Sequence, residues 1–73
     1  MKKYELQTIK IKGGLEISKS STEFDTVPEA RIKYFDQVKT CQGLIKSGLD
    51  CDKIIITVTK KTKPNEYIEY EEI

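Results

Sequence analysis

Histidine and tryptophan are absent from this chain of 73 residues, glycine occurs four times, and proline and cysteine twice each. Without imidazole there is no histidine general base, no His-assisted Ser or Cys nucleophile, and no His-containing zinc set. Cys41 and Cys51 cannot complete a tetrahedral thiolate site between them, and their spacing is not that of a CxxC redox pair. No stretch approaches the ~18 apolar residues of a membrane span. Behind Met1-Lys2-Lys3-Tyr4-Glu5 no apolar run follows, so a signal peptide is not expected; the reading is a cytoplasmic chain with reduced thiols and no membrane partner.

Charge of one sign is also missing. Thirteen Lys and Arg stand against 12 Asp and Glu, and the balance holds within each half, 7 to 6 over residues 1–36 and 6 to 6 thereafter. A nucleic-acid binder that neutralises several phosphates normally carries a basic excess, which lowers the standing of that class. What the chain does hold is 37% hydrophobic residues in periodic blocks, the mark of one small folded domain over residues 1–73. Its Lys-, Ile-, Glu- and Thr-rich usage is that of an AT-rich bacterial or phage gene, or of a mobile element.

A helix is the best-punctuated element. Thr26-Val27-Pro28-Glu29 reads as an N-cap with Pro in the first turn and Glu at N3. Val27, Ala30, Tyr34, Val38, Cys41 and Ile45 then recur at three- and four-residue steps, widened by Phe35 and Leu44. Gly48 suits a left-handed C′ position, with Leu49 folding back on Leu44, so the helix is predicted over residues 27 to 46. Cys41 falls on the buried stripe and reads as a small hydrophobe.

Two hairpins flank it. In the first, a three-residue loop at Lys12-Gly13-Gly14 pairs Ile11 with Leu15 and Ile9 with Ile17, which places all four on one face. Tyr4 and Leu6 then fall on the opposite face unless a bulge near Gln7-Thr8 returns them. In the second, Ile54, Ile56 and Val58 share one side, with Lys53, Ile55, Thr57 and Thr59 on the other. A loop over residues 62–66 around Lys63-Pro64-Asn65-Glu66 sets Val58 opposite Tyr70 and Ile55 opposite Ile73.

The fold class expected is α+β, ββαββ: a four-stranded, mainly antiparallel sheet with one helix across one face. The economical closure is β-grasp-like, with the first and last strands adjacent and parallel at the centre. No diglycine ends the chain, so the C-terminal activation of β-grasp carriers is not indicated.

Paired carboxylates at Glu66, Glu69, Glu71 and Glu72, and at Asp50 with Asp52, read as solvated acidic edges, with a weak divalent-cation site the lesser alternative. Gly13-Gly14 reads as a turn and not as a phosphate loop. No catalytic residue, metal set or cofactor is expected, and the chain is not expected to be an enzyme. With the helix covering one side, the other side of the sheet keeps an oily patch: Tyr4, Leu6, Ile55, Tyr67 and Ile73, rimmed by charges including Lys61. The expected function is therefore a non-enzymatic protein-interaction module, a small adaptor or inhibitor acting through that face or a sheet edge on another protein or a second copy of itself. The alternative is a nucleic-acid accessory protein in which Tyr4 and Tyr67 stack bases beside the lysines at the hairpin tips.

Overall fold

The most apolar segment of the chain, Ile54-Ile55-Ile56-Thr57-Val58, lies at the centre of the structure, and the other elements are arranged about it. A computed structural model describes residues 2–47 and 51–73. The order is β1 (Tyr4–Lys12), β2 (Leu15–Phe24), α1 (Val27–Lys46), β3 (Lys53–Lys60) and β4 (Lys63–Glu72), a ββαββ α+β domain. The four strands form one sheet in the order β2-β1-β3-β4, with every neighbouring pair antiparallel.

That order corrects the expected closure. The strand beside β1 at the centre is β3, not β4, and the two are antiparallel. A strand flanked on both edges and covered on one face suits an unbroken aliphatic run, whereas β4 carries Glu66, Glu69, Glu71 and Glu72 and belongs at an edge. Because β1 opposes both β2 and β3, those two run parallel, and their connection must cross over the sheet. Such a crossover needs a dozen residues or more. The 20 residues of α1 supply it, spanning about 30 Å at 1.5 Å per residue.

The helix begins and runs as its sequence predicts. Thr26 has extended backbone angles and its Oγ1 accepts the Glu29 N–H at 3.4 Å, with Pro28 in the first turn where no amide partner is lost. At the other end the Ser47 N–H and hydroxyl both donate to the Gly43 carbonyl, at 3.0 and 2.8 Å. The predicted Gly48 and Leu49 ending lies outside the described residues. Ala30, Tyr34 and Cys41 are buried, with Val38 and Ile45 packed beside them. Phe35, expected to widen this stripe, is instead exposed.

Both hairpin registers differ from expectation, the second by one residue and the first by one at the turn and two beyond an irregularity, and a one-residue slip exchanges the faces of a strand. The first turn is the two-residue Gly13-Gly14, with φ of 60° and 80° and Lys12 opposite Leu15. Two central residues at positive φ make the primed turn whose twist matches a hairpin, and glycine adopts it without steric cost. The shift that realigns the strands falls between Lys10 and Ile11, not at Gln7-Thr8. Pairing with β3 turns Leu6 and Thr8 toward α1, opposite Val58 and Ile56, while Ile9 and Ile11 lie on the far face. Leu15 and Ile17, expected beneath the helix, are exposed.

In the second hairpin Lys60 pairs with Lys63 across a two-residue turn, and an irregularity follows before Val58 meets Glu69 and Ile55 meets Glu72. Tyr70 thereby turns to the far face. Ile73 turns to the helix side, where it exchanges backbone hydrogen bonds with Ile54 at 3.0 and 2.8 Å. Seating Ile73 and Ile68 against the core is the gain that selects this register.

The core is Leu6, Ala30, Tyr34, Cys41, Ile54, Ile56 and Val58. Thr8 is buried among them, and its Oγ1 has no hydrogen-bond partner. Replacing that hydroxyl with a methyl removes a desolvated polar atom at constant shape, so Thr8→Val is expected to raise unfolding free energy by about 1 kcal/mol. Ile56→Ala is expected to lower it by about 2–5 kcal/mol. Urea titration of the two variants checks both signs; a neutral Thr8→Val would place this side chain in solvent and contradict the β1 register.

Candidate functional site

α1 covers one side of the sheet, which leaves the other side open. Alternation along β1 and β3 brings Glu5, Gln7, Ile9, Ile55, Thr57 and Thr59 onto it, and the β4 register adds Tyr67 and Tyr70. These residues, with Pro64, line a shallow concavity of about 240 Å³. The Tyr67 and Tyr70 rings pack at a tilt with centroids 5.3 Å apart, both rings largely exposed. Beside them the Gln7 amide donates to Glu5 Oε1 at 2.8 Å, which fixes the orientation of both polar groups.

Two ion pairs stand at opposite ends of this face. Lys53 Nζ lies 2.6 Å from Glu72 Oε1 at the start of β3. Past the end of β3, Lys61 pairs with Glu23, joining the β3–β4 turn to the edge strand β2. Between them β3 runs eight residues, about 26 Å at ~3.3 Å per residue. The hydrogen bond from Lys53 to Glu72, together with the carboxylate's charge, raises the ammonium pKa above its ordinary 10.5.

Of the residues predicted for the site, Ile55 and Tyr67 lie on the open face and Lys61 stands at its rim. Leu6 and Ile73 do not: both belong to the core beneath α1, for the register reasons given above. Tyr4 shares the alternation of Leu6 and sits half-buried on the helix side, opposite Phe24 and Lys60. Ile9, Tyr70 and Gln7 take the places of these three, while Thr57 shares the face but is itself buried. The signal that locates them is the pairing of Leu6 and Thr8 with Val58 and Ile56, together with the Gly-Gly turn.

Among the described residues, Glu69, Asp52 and Cys41 are engaged elsewhere. Glu69 lies on the helix side and accepts a hydrogen bond from Arg31 Nε at 3.0 Å. Asp52 caps the first hairpin: its Oδ2 accepts the Gly13 N–H at 2.8 Å while its own N–H donates to the Ile11 carbonyl at 2.8 Å. Both thiols are free, Cys41 buried and Cys51 partly so. Burial pushes the Cys41 thiol above its ordinary 9.0, further raised by Cys51, while Lys10 and the Gln37 hydrogen bond oppose the shift. Burial likewise raises Tyr34 above 10.0, assisted by the charges of Glu71 and Glu69. Among the described residues no three Cys, Asp or Glu side chains gather as a metal set, and no helix is long and apolar enough to cross a membrane.

Comparison with protein-family models, with curated proteins and with solved structures returns no match.

Cys41, Tyr34 and Lys53 all hold their protons more tightly in the fold than in the unfolded chain. Their contribution to stability is complete below pH 9.0, the lowest of the three ordinary values, and is lost as pH rises through the raised ones. Chemical denaturation between neutral pH and pH 11 is expected to show stability falling above about pH 9, and falling less in Cys41→Ala relative to that variant's own neutral value. Stability constant across the interval would contradict the burial of Cys41 and Tyr34.

Proposed function

We propose that the chain is a non-enzymatic protein-interaction module that binds a partner protein through the helix-free face of its sheet, in the manner of a small adaptor or inhibitor. The observation that carries this reading is the gathering of Ile9, Ile55, Tyr67 and Tyr70 on one rigid surface between two ion pairs. An aromatic and aliphatic centre with a charged rim is the anatomy of a protein interface. Four strands at ~4.8 Å spacing and ~26 Å length give a footprint of about 500 Å², rather more than half of one side of a standard interface.

The engaged state of the ionisable groups supports a binding role over a catalytic one. The Cys41 thiol is held protonated by burial, Glu69 and Glu72 are paired with cations, and Asp52 is occupied by the hairpin turn. For nucleic acid, the tyrosine pair offers a stacking surface and Lys2, Lys3, Lys60 and Lys61 gather at one end of the sheet. Against that reading, Lys61 is paired with Glu23, Glu5 stands on the face itself, and net charge is +1.

A photo-crosslinking residue at position 67, introduced in the native cell, is expected to capture a defined protein. Tyr67→Ala and Ile55→Ser are then expected to weaken binding of that purified protein by roughly tenfold or more, with Ser20→Ala, exposed on the edge strand β2 and opposite Thr8 on the helix side, leaving it unchanged. Full binding by the Tyr67 and Ile55 variants would overturn the proposal. So would a salt-sensitive shift of labelled single-stranded oligonucleotide that Tyr67→Ala abolishes, which would assign the face to nucleic acid.

A further inference from the structure

The outward side of α1 carries two large apolar residues that stand mostly in solvent, Phe35 with its ring edge-on to Tyr34 at 5.3 Å between centroids. Ile32 is 74% exposed and Phe35 55%. At about 100° per residue, Ile32 lies opposite the buried stripe of Ala30, Tyr34 and Cys41, at the crest of the helix. Glu29, Lys33, Asp36 and Lys39 flank the apolar pair, and the six residues line a shallow groove of about 490 Å³.

The order of those four charges is informative. Along the helix they read negative, positive, negative, positive. Turned end for end, the same row reads positive, negative, positive, negative, so it complements itself in the antiparallel orientation. Within one copy Lys33 Nζ lies 4.0 Å from Asp36 Oδ2, a long and exposed i,i+3 pair that leaves both groups open to a further partner. Placed about a two-fold axis at the level of Tyr34, Glu29 faces the second copy's Lys39, Lys33 faces the second copy's Asp36, and Ile32 packs against the second copy's Phe35. Parallel alignment in register would set each charge against its like. From this we infer that the outer face of α1 is a self-association surface, on which two copies of the chain pair antiparallel, helix against helix.

An isologous contact makes every favourable pairing twice. The antiparallel arrangement also sets each helix's N-terminal dipole end beside the other's C-terminal end. A single helix pair covers less than a standard interface, so the association is weak and rises with concentration. It does not depend on the sheet-face reading, since the sheet lies on the other side of the helix. With the helices joined, the two open sheet faces point outward, and each dimer presents two copies of the patch formed by Ile55 and Tyr67, with the avidity that follows for a multivalent partner.

Charge reversal with rescue tests the inference. Glu29 and Lys39 are ten residues apart, about 15 Å along the helix, too far to touch within one copy. Lys39→Glu sets like charges together twice in each dimer and is expected to weaken association roughly tenfold in sedimentation equilibrium. The double variant Glu29→Lys with Lys39→Glu is expected to recover it, and Phe35→Ser to abolish it. Thermal melts identify any variant that fails to fold, and Ile32→Ser then supplies a second apolar truncation with the same expected loss. A strict monomer up to roughly 1 mM overturns the inference. A dimer indifferent to Lys39→Glu overturns it too, as does a double variant no better than the single. Since Tyr67→Ala leaves this surface intact, loss of self-association and loss of partner binding are read from different variants.

Discussion

Burial of Ile54, Ile56 and Val58 against Ala30, Tyr34 and Cys41 is the constraint from which the other features of the chain follow. Each of those three aliphatic side chains is fully removed from water, worth about 1.5–3 kcal/mol apiece. Against the 5–15 kcal/mol that holds a typical small domain folded, that is a large share. Seating them requires β3 to lie centrally under the helix. Once β3 is central, its alternate residues Ile55, Thr57 and Thr59 are committed to the opposite face. The patch on that face is thus a geometric consequence of the core, and no substitution can move one without the other.

The same constraint explains why β1 carries Leu6 and Thr8 inward and leaves Ile9 and Ile11 half-buried on the far face. Pairing β1 with β3 brings the small inward set of β1 directly opposite Val58 and Ile56, and the helix has room above only one row from each strand. β2, polar along most of its length and exposed along nearly all of it, completes the sheet without contributing to the core beyond Phe24. β4 follows the same logic: Ile68 and Ile73 turn inward, Tyr67 and Tyr70 outward, and Glu69 reaches Arg31 at the helix margin.

Much of this was legible in the chain itself. The helix was readable because cap, first-turn proline and apolar period all point to the same residues, and the sidedness of β3 because strict alternation admits one interpretation. The registers were not, for a physical reason. Ile9, Ile11, Leu15 and Ile17 are as apolar as the residues that are buried, so a pairing that gathers them looks favourable when the first hairpin is considered alone. What decides is the neighbouring strand, a contact between residues some fifty positions apart that local pattern does not encode. The composition of the open face follows the same contact: Ile55 and Tyr67 lie on it as the alternation of their strands predicts, whereas the pairing with β3 and the β4 register take Leu6 and Ile73 to the helix side and bring Ile9 and Tyr70 out in their place.

The most direct test of this account is the identity of the strand beside β1, read by nuclear Overhauser contacts between backbone protons. The account predicts cross-strand contacts of antiparallel type linking Leu6 with Val58 and Thr8 with Ile56. Contacts from β1 to β4 in their place, or pairing of β1 with β3 displaced by one residue, would turn the aliphatic row of β1 back toward the helix and contradict both the core and the face that depends on it.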